Sequence, residues 1–267
     1  GTYDLRQSIR LKSNATLTGE GAGTVLQGPP PVRSELTEST EPNSNRLRVK
    51  DAAGFNVGDQ IWIRDFKQGG WHTRYLVITE IQGADVKGDI IYGDLERTYE
   101  VAERAWAGTF FPAVWGHRVN GITIKSLTID GGDFAFDAPD GTGDFVCSAI
   151  HTKGSEDVRV TDVNIRRWPS DGVSIQGGSG QVTGCVVEDC LGSGLHPGSS
   201  IAQSIWRDNI SRRNRKGFYF CKNVRNCVVA NNIIIQNREQ GIWGLGDPDR
   251  YNIVIGNVIA ENGQYGL

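Results

Sequence analysis

The chain has 267 residues, a formal net charge of −3 and 35 glycines. That length suffices for one sizeable core, or for a core with an appended lobe, and the near-neutral balance argues against a general nucleic-acid binder, which is normally basic. No run of 18 apolar residues occurs, which excludes a membrane-spanning helix, and the N-terminus lacks a charged-then-apolar leader.

In chain order, residues 1–27 hold short Val/Leu/Ile runs between turn residues. Their GEGAGT segment has G-x-G-x-G spacing with no helical pattern after it, so these are turn glycines rather than a phosphate cradle. The start at GTYDL and the absence of Met read as a processed or trimmed chain. Residues 28–116 open with the Pro-, Ser- and Glu-rich loop GPPPVRSELTESTEPNSN and continue in strand-like runs such as RLRVKDAAGFNVGDQIWIRDF. They predict a β-rich excursion, whose Trp71, Trp106 or Trp115 either wall one side of a cleft or form its own core.

Residues 117–267 repeat. A glycine followed by an apolar residue recurs at Gly172, Gly194, Gly217, Gly241 and Gly266, every 22 to 25 residues. Twelve before each glycine stands a β-branched residue (Val160, Val182, Ile205, Val229, Val254), and seven before stands another (Ile165, Val187, Ile210, Ile234, Ile259). Ile124, Ile129 and Ala149 continue the pattern upstream. Units this short bury a core only by stacking, which predicts an all-β, right-handed parallel β-helix with coils about 4.8 Å apart. The chain stops in mid-repeat at Leu267, so further coils or a subunit contact are expected there. The five cysteines, Cys147, Cys185, Cys190, Cys221 and Cys227, are odd in number and lack CxxC spacing. They read as buried small apolar residues.

Stacking turns sequence spacing into neighbours. Counted back from the glycines, Arg212 of the basic run SRRNRKG falls beside Asp189 and Arg215 beside Glu239. Arg213 falls beside Cys190 and Asn237, and Lys216 beside Ser193 and Gln240, both without a charged partner. Two residues after the glycines the column reads His151, Ser174, His196, Tyr219, Trp243. Apolar residues flank it, so this column points outward. Asp171, His196, Lys216, Tyr219 and Trp243 are therefore expected on one solvent-facing strip. His151 and His196 lie two coils apart, too far to share a metal. Each residue also has an ordinary role open to it: a turn histidine, a solvated lysine, an aromatic ladder stiffening the sheet. The loop DGGDFAFDAPDGTGD offers Asp137, Asp140 and Asp144 as Ca²⁺ ligands, although Asx turns account for such clusters too and the EF-hand spacing is not met. Asp247 and Asp249 carry the same two readings.

The opening GTYDLRQSIRLKSNATLTGEGAGTVL resembles the first coils of pectate-lyase-like β-helix proteins. The SDGV segment resembles the NTDG segment of polygalacturonase-type glycoside hydrolases, which implies a catalytic role for Asp171; their GHGL histidine is replaced by Ser193. GLHPGS resembles the GFDPHD segment of mannuronan C5-epimerases, with His196 where those enzymes place an aspartate. These resemblances imply a secreted or cell-surface carbohydrate-active protein whose partner is a polysaccharide. The first expectation is a lyase or epimerase on a uronic-acid polymer. Lys216, with Arg213, would neutralise the carboxylate, His196 and Tyr219 would serve as base and acid, and Asp171 would orient a hydroxyl. His151, Gln240 and Trp243 would bind sugar. A hydrolase using Asp171 with a second carboxylate, and a non-catalytic glycan-binding or structural solenoid, are the competing expectations; inverting hydrolysis needs carboxyls about 6.5–9.5 Å apart.

Overall fold

The computed structural model describes every residue except 68–72, 94–95, 134–144 and 247. Trp71, Asp137, Asp140, Asp144 and Asp247 lie outside the described residues.

The fold is a right-handed parallel β-helix carrying an antiparallel sheet. Each coil contributes short strands that pair only with the coils before and after. Val182, Trp206, Val229 and Val254 stack in one inward column, and Ile165, Val187, Ser211, Ile234 and Ile259 in another. A third runs Val114, Ile150, Val173, Leu195, Phe218, Ile242. Upstream, Leu17 pairs with Ile124 and Leu26 with Ile129, so residues 1–27 and the segment after the excursion form consecutive coils.

Two columns depart from the spacing prediction in one coil: Trp206 and Ser211 point inward where Ile205 and Ile210 were expected. The cause is a short corner. Only Arg215 and Lys216 separate Asn214 from Gly217, whereas Leu191, Gly192 and Ser193 separate Cys190 from Gly194. Counting back from Gly217 therefore slips by one residue, and a one-residue slip exchanges the two faces of a strand. Trp206 and Ser211 are fully buried, and the Ser211 hydroxyl donates to the Gly217 carbonyl at 2.7 Å.

The repeated glycines are required by close approach. A Cβ on Gly217 would fall against the Ile234 side chain and 2.6 Å from the Gly241 carbonyl oxygen, and one on Gly172 would lie 2.6 Å from that of Gly194. At the corners the chain turns with left-handed residues, among them Asp189, Arg213, Gln236 and Glu261. Buried asparagines satisfy the adjoining backbone. Asn209, Asn232 and Asn257 form one ladder, in which each side-chain carbonyl accepts the backbone N–H of the residue one coil earlier at 2.9–3.0 Å. Asn214, Asn237 and Asn262 form a second.

The excursion forms a six-stranded antiparallel sheet in the order Arg33–Glu35, Trp106–Gly108, Gln60–Arg64, Arg74–Gln82, Asp85–Gly93, Arg46–Arg48. Strand alternation splits its side chains. Trp62, Tyr75, Trp106 and Phe110 join the solenoid core, while Ile61, Ile63 and Leu76 join a second core with Leu36, Leu47 and Phe55. Trp106 is thus core rather than cleft wall. Val114–His117, where the excursion ends, is already a rung of the parallel stack.

Candidate functional site

The outward column exists as the spacing predicts, and it is longer. It runs Arg10, Trp115, His151, Ser174, His196, then Tyr219 and Trp243. The His196 and Tyr219 rings are 4.7 Å apart. At the other end Trp115 packs edge-on to Tyr92 of the antiparallel sheet at 4.9 Å, so one end of the column abuts the excursion.

The strip is not uniformly open to solvent, which corrects the expectation. Asp171, His151 and His196 are only 2–4% exposed, Lys216 and Tyr219 are half-buried, and Trp243 is 44% exposed. Burial of Asp171 and His196 follows from their pairing. The Asp171 carboxylate meets His196 Nδ1 at 2.6 Å with one oxygen, and with the other accepts the Ser193 N–H at 2.5 Å. Burial alone would depress the His196 pKa; the charge and hydrogen bond of Asp171 outweigh it and raise the value to about 9. His196 is therefore an imidazolium at neutral pH.

Lys216 does have a charged partner. Its Nζ lies 3.3 Å from Glu239, which also accepts from Arg215 at 2.7 Å. Glu239 reaches Lys216 diagonally from one residue before Gln240. Burial works against the Glu239 charge, but the Arg215 and Lys216 contacts prevail and hold its pKa below the ordinary carboxylate value. Lys216 Nζ also sits 5.6 Å from the Tyr219 ring centre and 5.8 Å from that of Trp243. Gln240 is buried; its amide donates to Gln264, and its carbonyl oxygen has no partner among the described residues.

Arg213 does not join the cluster. The short corner places it beside Asp189, to which it is bidentate at 2.9 Å, with Glu188 at 2.8 Å; Arg212 bonds Glu188 at 2.7 Å. Both arginines therefore have different partners from those that counting back assigned. The described carboxylates of the Asp-rich loop are also engaged: Asp130 is buried against Arg166 and Arg167, and Asp133 pairs with Arg167. Asp249 accepts the Val224 N–H at 2.6 Å, a bond to the preceding coil. Among the described residues no group of three or more His, Cys, Asp or Glu is placed to hold a metal ion.

The sequence reading missed Cys221. Four of the five cysteines are buried as expected, and burial pushes the thiols of Cys185 and Cys190 up to about 12. Cys221 instead lies half-buried in register with Gly198, two residues beyond Tyr219 and so on the same outward face. Burial would raise its thiol pKa, but interaction with the nearby His196 imidazolium, and less so with Tyr219, brings it below the ordinary value. The alternation Phe218 in, Tyr219 out, Phe220 in, Cys221 out was the available signal.

The family model described as the right-handed beta helix region matches residues 148–267. Among solved structures, the chain is similar to the tailspike gp61 of Pseudomonas phage phi297, with 13% identity, coverage of 94% of this chain and 48% of that one, and a TM-score of 0.31. It is also similar to the Gp54 tailspike of Acinetobacter baumannii bacteriophage AP22, solved with a capsular saccharide (12%, 97% and 52%, 0.28), and to XylC solved with xylose (11%, 99% and 63%, 0.39). The chain thus spans about half to two thirds of their lengths. No curated protein matches it in sequence.

Proposed function

We propose that the protein acts on a uronic-acid-containing polysaccharide, by β-elimination of its glycosidic bond or by the related epimerisation at C5. The observation that carries this reading is Lys216, a cation set against the rings of Tyr219 and Trp243 beside the Asp171–His196 pair. Aromatic faces stack with the apolar faces of a pyranose, and a uronate additionally needs a cation beside that platform. The column runs along the solenoid axis, which suits an extended polymer.

In this reaction Lys216 neutralises the uronate carboxylate and so acidifies the C5 proton. Glu239 fixes the lysine, and the His196 imidazolium adds positive charge where the carboxylate gains electron density. Burial, with a further contribution from the neighbouring Cys221, raises the Tyr219 pKa, so its phenol stays protonated and can donate to the departing glycosidic oxygen. A hydrolase would need a carboxyl held protonated near neutral pH. Glu239, the carboxylate on Lys216, is held ionised by Arg215 and Lys216 instead.

The test is incubation with alginate, pectate and glycosaminoglycans, following the ultraviolet absorbance of unsaturated chain ends and, for epimerisation, solvent-deuterium incorporation at C5. Unsaturation or exchange is expected with at least one polymer, and Lys216→Ala should lower it about 10²-fold or more. New reducing ends without unsaturation would replace this reading with hydrolysis.

A further inference from the structure

At the Lys216 end of the outward face the cations are matched by carboxylates: Lys216 and Arg215 by Glu239, and His196 by Asp171. At the other end, where the excursion meets the first coils, four exposed cations stand together, and none has an ion-pair partner among the described residues. We propose that Arg10, Lys12, Arg118 and Lys153 form a second anion-binding surface, which holds a distal stretch of the acidic polysaccharide; the choice of polymer rests on the uronate reading above.

Register brings the four together. Arg10 stacks on Trp115 in the outward column, and Lys12 follows two residues on; Leu11 between them packs against the core, so both cations face out. In the next rung His117 pairs with Lys153, and the Arg118 N–H donates to the Lys153 carbonyl at 2.8 Å. Arg118 turns in the left-handed region, with φ of 51°, and its stem runs over Gly154, where an added Cβ would lie 3.5 Å from Arg118 Cγ. The cations thus occupy three consecutive rungs, within roughly 10 Å along the axis at the strand spacing. Tyr92 of the excursion packs edge-on to His117 at 5.2 Å as well as to Trp115, and flanks the surface with an aromatic ring.

The local field is positive. Burial, and then the charges of Arg118 and Lys153, hold the His117 pKa below its ordinary value, and no carboxylate is among the groups acting on that ring. Exposed cations without partners keep their full attraction for an incoming anion. Their spacing selects the kind of anion: they are spread along the axis rather than converging on one point, which matches a carboxylate repeated along an extended chain. The same axis leads to the first site. Lys153 lies three rungs before Lys216, and Arg10 and Lys12 lie five, roughly 14 and 24 Å at the strand spacing. A polymer that reaches both surfaces is retained more tightly than either alone would hold it.

Affinity electrophoresis of the full chain in gels containing alginate or polygalacturonate tests this, with dextran as the uncharged control and polyadenylate as the competing polyanion. The wild-type protein should be retarded by a uronate polymer and not by dextran. The triple variant Lys12→Ala, Arg118→Ala, Lys153→Ala, checked for an unchanged melting temperature, should bind about tenfold more weakly at low ionic strength. That difference should close as salt is raised, and Lys12→Arg with Lys153→Arg, which keeps the charge, should retain wild-type binding. Equal retardation of the wild type and the triple alanine variant at low salt overturns the second surface and leaves the uronate reading standing. Stronger retardation by polyadenylate than by either uronate polymer overturns the choice of partner. No retardation of the wild type by a uronate polymer also overturns the surface; if unsaturation and C5 exchange are absent as well, both readings fall.

Discussion

Folding strengthens the hold of His196 on its proton and weakens that of Cys221, and the two changes oppose each other in their effect on stability. A histidine raised from its ordinary 6.5 to about 9 contributes stability that is complete below pH 6.5 and is lost as pH rises through 9. A cysteine lowered from its ordinary 9.0 contributes stability that is present above pH 9 and is lost as pH falls through its folded value. The two contributions therefore run in opposite directions as pH rises, so the wild-type melting temperature should fall less steeply toward pH 9 than His196 alone would make it. Cys221→Ser removes the opposing contribution, and its melting temperature should fall more steeply than that of the wild type as pH rises toward 9, by roughly 2–4 °C per kcal/mol lost. A parallel pH dependence in both proteins would refute the pairing. The column carrying His196, Tyr219 and Trp243 was legible in the sequence because period-2 alternation and glycine spacing fix which residues face out. The partners of Lys216 and Arg213 were not. Glu239 reaches its lysine diagonally, and ladder counting sees only direct neighbours.

Within the coils, the asparagine ladders satisfy buried backbone groups at the corners. Asn232 donates to the Trp206 carbonyl at 2.9 Å and accepts from the Asn209 N–H at 3.0 Å, in a site 1% exposed. Asn232→Ala leaves both groups unpaired, at a cost of about 1–3 kcal/mol each, and thermal or urea denaturation should show the loss. Asn232→Asp keeps the acceptor but sets a buried carboxylate oxygen against the Trp206 carbonyl and Asn257 Oδ1, and should cost at least as much as Asn232→Ala. Gly217→Ala drives a methyl into Ile234 and should cost about 1–3 kcal/mol as overpacking. These ladders were written in the spacing of Asn209, Asn232 and Asn257, but polar residues carry no hydrophobic period and pass as loop composition. The inward columns were legible wherever corners have equal length, and failed only at Trp206 and Ser211.

Across the whole molecule, the solenoid and the antiparallel sheet share a core through Trp62, Tyr75, Trp106 and Phe110. Tyr75 strengthens the junction by donating to the Val146 carbonyl at 2.9 Å. Trp106→Ala should cost about 3–5 kcal/mol, and near-ultraviolet dichroism of the aromatic cluster and far-ultraviolet strand signal should be lost together. Separate transitions would mean that the two parts unfold independently. That the excursion is β-rich was readable from its strand-like runs, whereas its antiparallel order was not, because pairing partners there are far apart in sequence. The short corner between Asn214 and Gly217 has one more effect, on folding fidelity. Near-identical coils can in principle stack one repeat out of place, a hazard of any quasi-one-dimensional array. A coil with a missing residue, an inward tryptophan and a serine bonded to its own glycine fits only between its two proper neighbours. It acts as a key that fixes the order of the whole stack, and filling the corner with one inserted residue should allow misregistered, slowly interconverting forms.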